Sequence, residues 1–419
     1  MADERCIVGL DIGTSAIRVA IGEVDYDGNL NIVATASKKS AGLRNGVIVN
    51  IEDAKDVIKD AIEAAEQEGG AIVTSVIASV GGKQIESENC RGVVPITSVK
   101  NNVRAVTEED REKVIATATA INFPADREII HVIPQDYLVD GIGRIPDPVN
   151  RLGFKLEAEV HIVTAARTII QNMRSCVNRA GYELDGVMLK TLAEVQAVCH
   201  EDEMELGSII IDLGAGTTDV IVLLKGAPIS TASVEVGGNL VTNDIAIVTG
   251  IPVVAAEKIK IESGCCWLPG IEVDEDVILP GVGGRAPEVI GKKALCEIIQ
   301  ARMEGIFAMV KAAIIKNTND SIKQLSGNII LTGAGANMEG IVELAQSVFK
   351  TSSVRIGIPE NLGGIEEKYR TPEFATAIGL VVANKGIIQK RDNRRKVKKN
   401  SSKSKGKESV LKRLRKMFF

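Results

Sequence analysis

The chain has 419 residues, 45% of them hydrophobic and 25% charged, a composition that excludes disorder along most of its length and leaves room for two or more domains. Its net charge of -5 hides an asymmetry: residues 385–419 carry fifteen lysines and arginines against Asp392 and Glu408, a net of +13, so the other 384 residues sum to -18. An acidic body argues against nucleic acid as its partner, and a basic tail points to an anionic one.

The first twenty residues include Asp3, Glu4, Arg5 and Asp11 and lack the apolar run of a secretory signal, and no stretch reaches the ~18 apolar residues of a membrane span. The body is therefore expected in the cytoplasm. Cys6 to Val24 reads as strand, tight turn, strand, with Gly13-Thr14-Ser15 in the turn. Asp53 to Glu66 has the spacing of a helix (Val57, Ile58, Ala61, Ile62, Ala65), and Val73 to Val80 that of a buried strand. Residues 83–161 change character around one helix from Thr107 to Ile121, for which Thr107 and Asp110 form a capping box, and they read as an inserted subdomain. Helix is expected to resume over 163–181.

The grammar of the N-terminus returns at Ser208: an apolar strand ending in Asp212, a turn Gly214-Ala215-Gly216-Thr217-Thr218, and a second apolar strand. The two aspartates lie 201 residues apart, and internal duplication of an α/β unit is the economical reading. Residues 228–320 form another punctuated block that closes on a long helix through Ile298, Met303, Phe307 and Ile314. A strand at Asn328–Leu331, a third turn Gly333-Ala334-Gly335 and a helix from Met338 to Phe349 follow, and 374–384 closes the ordered region. Residues 385–407 read as a flexible basic linker.

Each hairpin turn offers glycines that let backbone come close to a ligand, amide donors and hydroxyls, which is what a polyphosphate needs. Asp11 and Asp212 sit at matching places before the turns, suited to hold a hydrated Mg²⁺ between them, mainly through water. The third turn lacks the third glycine of a dinucleotide fingerprint, Met338 standing in its place, and no G-x-x-x-x-G-K-S/T loop is present. Seven scattered cysteines without a C-x-x-C pair speak against a disulfide framework or structural metal, and His131, His161 and His200 read as structural residues.

The chain resembles the actin, Hsp70 and hexokinase superfamily and, within it, the FtsA family of bacterial cell division. Val8 to Gly22 looks like the first phosphate motif, Ile209 to Val222 the second, Ile329 to Gly340 the adenosine motif, and Ala375 to Leu380 the second connecting motif. More specific to the FtsA resemblance are Gly153-Phe154-Lys155-Leu156-Glu157 running into Val160-His161-Ile162-Val163-Thr164, the stretch Gly238-Asn239-Leu240-Val241-Thr242-Asn243-Asp244-Ile245, and Val282-Gly283-Gly284-Arg285-Ala286-Pro287.

The resemblance implies an α/β fold of the actin type, a duplicated ribonuclease H-like, two-lobed ATP-binding fold with the FtsA-type inserted subdomain. Its parts would be subdomain 1A (1–82, 162–192, 375–384), the insert 1C (83–161), 2A (193–227, 321–374), 2B (228–320), the linker and a membrane-targeting helix at 408–419. It implies ATP with Mg²⁺ as cofactor. Gly13, Thr14, Ser15, Gly214, Gly216, Thr217 and Thr218 would meet the phosphates, with Ala215, Gly237 and Gly238 also in the ATP site; Gly333, Ala334, Gly335 and Met338 would line the adenosine, with Glu257 and Lys260 reaching ribose or base.

Ala215 and Ala334 stand where relatives often have glycine, at a cost of ~1 kcal/mol or more if either position needs a positive φ. Lys190-Thr191 stands where chaperone-type relatives carry Glu-Pro and orient the attacking water. A protonated lysine is no general base, which leaves Gln135, assigned to a strand end, as the catalytic candidate or else as a buried structural amide, and predicts slow or undetectable ATP turnover.

The implied partners are FtsZ, other copies of the chain in a filament, anionic membrane lipids and later membrane proteins of the divisome, at the cytoplasmic face of the septal membrane. In the tail, Val410, Leu411, Leu414, Met417 and Phe418 fall on one helical face, flanked by Lys412, Arg413, Arg415 and Lys416 and ending in Phe419. A pilus-assembly actin homologue and a small-molecule kinase of the same fold are the alternatives. A chaperone would need a peptide-binding domain of ~150–200 residues beyond the core, against the 35 residues at 385–419.

Overall fold

The computed structural model describes residues 6–386 except 26, 97–102, 121–122, 282, 285, 319–327, 361 and 365–369. The membrane-targeting helix expected at 408–419, nearly all of the linker and Arg285 lie outside the described residues.

The first lobe opens with β1 (Cys6–Ile12), β2 (Ala16–Val24) and β3 (Leu30–Lys39), a small hairpin of β4 (Leu43–Arg44) and β5 (Val47–Ile48), α1 (Ile51–Gly69) and β6 (Ser75–Val80). The insert follows as β7 (Ile85–Pro95), β8 (Arg104–Ala105), α2 (Glu108–Ala118), β9 (Arg127–Val139), β10 (Ile142–Ile145), β11 (Leu152–Gly153) and β12 (Lys155–Ala166). The chain returns through α3 (Arg167–Arg179) and β13 (Glu183–Leu189), then crosses by α4 (Lys190–Val198) and α5 (Glu201–Leu206). The second lobe holds β14 (Ser208–Leu213), β15 (Thr218–Leu224), β16 (Ala227–Val234), α6 (Gly238–Thr249), α7 (Val253–Ser263), β17 (Asp276–Leu279), β18 (Glu288–Gly291), α8 (Lys292–Thr318), β19 (Ile329–Thr332), α9 (Ile341–Phe349), β20 (Val354–Ile356) and the returning α10 (Ala375–Ala383).

The duplication is a structural fact. One five-stranded sheet runs β13-β6-β1-β2-β3 and the other β16-β15-β14-β19-β20, each made of an antiparallel meander of three strands extended by two parallel ones. Even the turns agree: four residues separate the paired Ile12 and Ile17, and four separate Leu213 and Thr218. Strands buried on both faces explain the uninterrupted apolar runs such as Ile209-Ile210-Ile211.

Local chemistry sets the helix ends. Asn50 caps α1 by accepting from the Glu52 and Asp53 N–H groups, and Gly70, in the left-handed region at φ 61°, stops it. The Thr107–Asp110 capping box is present at α2, and Arg104 braces it by pairing with Asp110. Between the sheets, α4 and α10 cross so closely that a Cβ on Gly379 would sit 2.0 Å from the Ala193 carbonyl. Around that crossing Ile378, Leu380, Val381, Ile210 and Ile330 are fully buried, each contributing about 1.5–3 kcal/mol.

Two expectations are corrected. Helix does not resume at 163: the β-branched run Ile162-Val163-Thr164 continues β12 to Ala166, and α3 begins at Arg167. Boundaries placed after residues 161 and 192 accordingly fall inside β12 and α4. Among the described residues no single helix is long and apolar enough to cross a membrane.

Candidate functional site

The β1–β2 and β14–β15 turns face each other across a solvent-open cavity of about 640 Å³. Its lining includes Asp11, Gly13 and Thr14 from the first turn, Gly214, Ala215, Gly216 and Thr217 from the second, and Lys190. The turns are built alike: the Gly13 N–H donates to the Ala16 carbonyl (3.2 Å) and that of Gly214 to Thr217 (3.1 Å), and a Cβ on either glycine would lie 2.7 Å from the same carbonyl. Neither Ala215 nor Ala334 has a positive φ, so the strain considered for those methyl groups does not arise.

The small β4–β5 hairpin, absent from the expected site, presses its Asn45-Gly46 tip between the turns. The Gly46 N–H donates to Thr14 Oγ1 (2.9 Å), and a Cβ on Gly216 would sit 2.8 Å from that oxygen and 2.9 Å from Asn45 Cα. Asn45 and Gly46 have φ 47° and 76°, the left-handed pair that an Asn-Gly hairpin turn requires, and that dipeptide was its signal in the sequence. Ser79 and Asp219 were missed as well. Ser79 Oγ donates to Asp11 Oδ1 (2.8 Å), while Asp219 accepts from the Gly82 N–H (3.0 Å) and Thr217 Oγ1 (2.9 Å), tying the second lobe to the root of the insert.

Thr218, expected at the phosphates, is fully buried and donates to the Val236 carbonyl (2.9 Å), so its hydroxyl is committed within the protein. Ser15 lies in the first turn, its carbonyl accepting from the Ser40 N–H. Gly237 packs beneath the second turn, where a Cβ would meet the Gly214 carbonyl at 2.5 Å, and the N–H groups of Gly238 and Asn239 hold the Gly214 and Ala215 carbonyls at 3.0 and 2.8 Å. The third turn closes on the other side of β14: Gly333, at φ 79°, abuts Asp212 Oδ1, and Gly335 abuts Leu213. Ala334 and Gly335 lie in a short 3-10 turn, Met338 follows it beside Gly264, and α9 starts only at Ile341. Lys260 donates to the Gly238 carbonyl (3.1 Å), Thr242 Oγ1 (2.8 Å) and Glu257 Oε2 (2.7 Å), so it and Glu257 form a closed network against the head of α6.

Gln135 is not in the cleft. It lies within β9, away from its ends, and its amide donates to Asn89 Oδ1 (3.1 Å) and the Pro228 carbonyl (2.7 Å). With Asn89 donating to the Ile229 carbonyl (2.9 Å), it docks the insert on the edge strand β16, and its assignment as a catalytic residue is withdrawn. The histidines are structural: His131 Nε2 accepts from the Leu189 N–H (2.9 Å), and His161 Nδ1 lies 2.7 Å from Asn89 Oδ1. Burial pulls both rings down to about 4, keeping them neutral.

Lys190 opens α4 and points across the cleft. Its ammonium lies 2.6 Å from Asp212 Oδ2, joining the lobes. Burial alone would lower its pKa; the charges of Asp212, Asp11, Glu194 and Asp219 outweigh that and hold it raised. Burial pushes the Asp212 carboxyl up against the opposing pull of Lys190, and pushes Glu194 well up, helped by Asp212. Glu194 accepts from Thr376 Oγ1 (2.6 Å) through one oxygen only.

The cavity fits the polyphosphate of a nucleotide: opposed glycine turns whose missing side chains leave the cradle open, and hydroxyls at its rim. A divalent ion shared by Asp11 and Asp212 fits less well, because an ammonium already neutralises Asp212.

Residues 209–379 match the family model "Cell division protein FtsA", and residues 82–164 match "SHS2 domain inserted in FTSA". The chain is 42% identical over 413 residues to the cell division protein FtsA of Borreliella burgdorferi, covering 98% of each, and 35% identical over 384 residues to that of Escherichia coli, covering 90% of each. Among solved structures it is similar to a PilM-PilN type IV pilus biogenesis complex (TM-score 0.62, 17% identity, 90% of this chain and 98% of that one). It is also similar to MreB 5 of Spiroplasma citri bound to AMPPNP (TM-score 0.55, 15% identity, 93% and 98%). At those identities the likeness speaks for the fold alone, which is the actin-like one. The duplicated sheets, the insert between β6 and α3, and full-length identity to curated relatives converge: the chain belongs to the FtsA family of bacterial cell-division proteins.

Proposed function

We propose that the chain is an ATP-binding cytoskeletal adaptor of cell division, which polymerises on nucleotide and ties FtsZ filaments to the cytoplasmic face of the septal membrane. The observation that carries the nucleotide reading is the meeting of two duplicated glycine turns over one cavity. The phosphates lie between Gly13–Thr14 and Gly214–Thr217, with the adenosine toward Gly333–Met338. Lys190 is paired with Asp212 and Gln135 is committed elsewhere, so neither residue considered for orienting the attacking water is placed to do it, which favours binding with slow turnover.

Membrane attachment rests on the tail's sequence. Twelve residues are too few for a stable helix in water, so the segment folds where its apolar face is buried, and each cation near an anionic leaflet adds ~1 kcal/mol. Block 228–320 is the surface offered to FtsZ, and later divisome proteins join the assembled filament. Co-sedimentation with anionic vesicles in ATP tests the tether: the full chain pellets, while a chain ending at Lys407, or one carrying Leu414→Asp, stays in the supernatant. Equal pelleting of all three would refute it.

A further inference from the structure

Asp212 is completely buried, Gly333 presses on its Oδ1, and that oxygen has no hydrogen-bond partner among the described residues. Its counter-charge is Lys190, the first residue of α4, which follows β13 of the opposite lobe; its side chain is 18% exposed and lines the cavity. A buried carboxylate without a cation is strongly disfavoured, and Lys190 supplies one whether or not metal is present. The partner aspartate differs: Asp11 accepts from a neutral hydroxyl, Ser79 Oγ at 2.8 Å, where Asp212 meets an ammonium.

We propose that Lys190 is a resident counter-cation of the phosphate cleft, filling at Asp212 the place a hydrated divalent ion would otherwise take, so that nucleotide binding draws on Asp11 and not on Asp212 for its metal. The inference rests on the ATP reading above. A compact ammonium with three donors spans Asp212 and an incoming phosphate oxygen at once, and it latches the lobes when no nucleotide is bound.

Calorimetric titration of ATP at a series of free Mg²⁺ concentrations tests this on the full chain. Asp212→Asn is expected to leave the Mg²⁺ concentration for half-maximal ATP binding within threefold of the parent, whereas Asp11→Asn raises it tenfold or more. Lys190→Met releases the Asp212 carboxylate to metal and lowers it at least tenfold, and the double variant Lys190→Met/Asp212→Asn returns it to within threefold of the parent. Should Lys190→Met fail to fold, Lys190→Gln, which keeps a donor without the charge, carries the same expectation. An unchanged Mg²⁺ requirement in the Lys190 variants, or a tenfold rise in Asp212→Asn alone, overturns the inference while leaving ATP binding intact. A parent chain that binds no ATP at any Mg²⁺ concentration overturns the reading of the cleft, and this inference with it.

Discussion

In the first lobe Asp11 stands opposite Arg18 across its hairpin; in the second, Asp212 stands opposite Asp219. Arg18 turns away to pair with Glu373 at 3.2 Å and lies over the Phe374 ring, whereas Asp219 stays in the cleft and binds the Gly82 N–H. Duplication kept the strand order, the four-residue turns and the glycine at each turn's start. The charges around the two aspartates diverged. Under the proposed function, backbone would set where a polyphosphate lies, and the asymmetric side chains which cation comes with it.

The largest effect is expected where the halves remain alike. Gly216→Val drives a branched side chain into Thr14 Oγ1 and Asn45, and Gly13→Val meets the Ala16 carbonyl; each should cost at least a hundredfold in ATP affinity, read as lost nucleotide-dependent thermal stabilisation. Retained affinity in both variants would break the equivalence of the turns. Next comes the asymmetric pair: removing Lys190 alone leaves a buried charge and should cost about 3–5 kcal/mol in chemical denaturation, with the double neutral variant Lys190→Met/Asp212→Asn losing clearly less.

A third test uses pH on a link of the second lobe. Burial pushes the Glu203 carboxyl up, but hydrogen bonds from Arg355, the His200 N–H and Asn328 outweigh it and bring it down to about 2. Its folded-state pKa lies below the unfolded value, so its contribution is complete above about pH 5 and is lost as pH falls toward 2. Discounted for its partial exposure, that contribution is about 1–2 kcal/mol, and Glu203→Gln should flatten the acid limb of the stability profile by that amount. The smallest effect is expected at Gln135→Ala, about 1 kcal/mol from the insert's contact with β16 and less than a twofold change in ATP affinity.

The duplication and both turns were legible in the sequence because their signals are local: an apolar strand, an aspartate and a glycine turn, repeated. The capping box that opens α2 was legible for the same reason. Lys190 was noticed as a departure from a motif, but its pairing with Asp212 was not, since the two are brought together only when strands of different sheets face one another. Glu194 is buried because α4 lies between α10 and both sheets, a placement that no local pattern announces. Gln135 was misplaced because β9 extends thirteen residues, well beyond the run that alternation defines, so its true end is Val139. The Asn45-Gly46 turn carried its own signal, yet only tertiary packing puts it against Thr14 and Gly216.

Whether the paired turns grip one nucleotide is decided by a crystal structure of the full chain with a non-hydrolysable ATP analogue. Phosphate density is expected between Gly13–Thr14 and Gly214–Thr217, with the Lys190 ammonium still on Asp212 and the base toward Gly333–Met338. Nucleotide bound outside the cleft, or a cleft empty at saturating analogue, would contradict that grip.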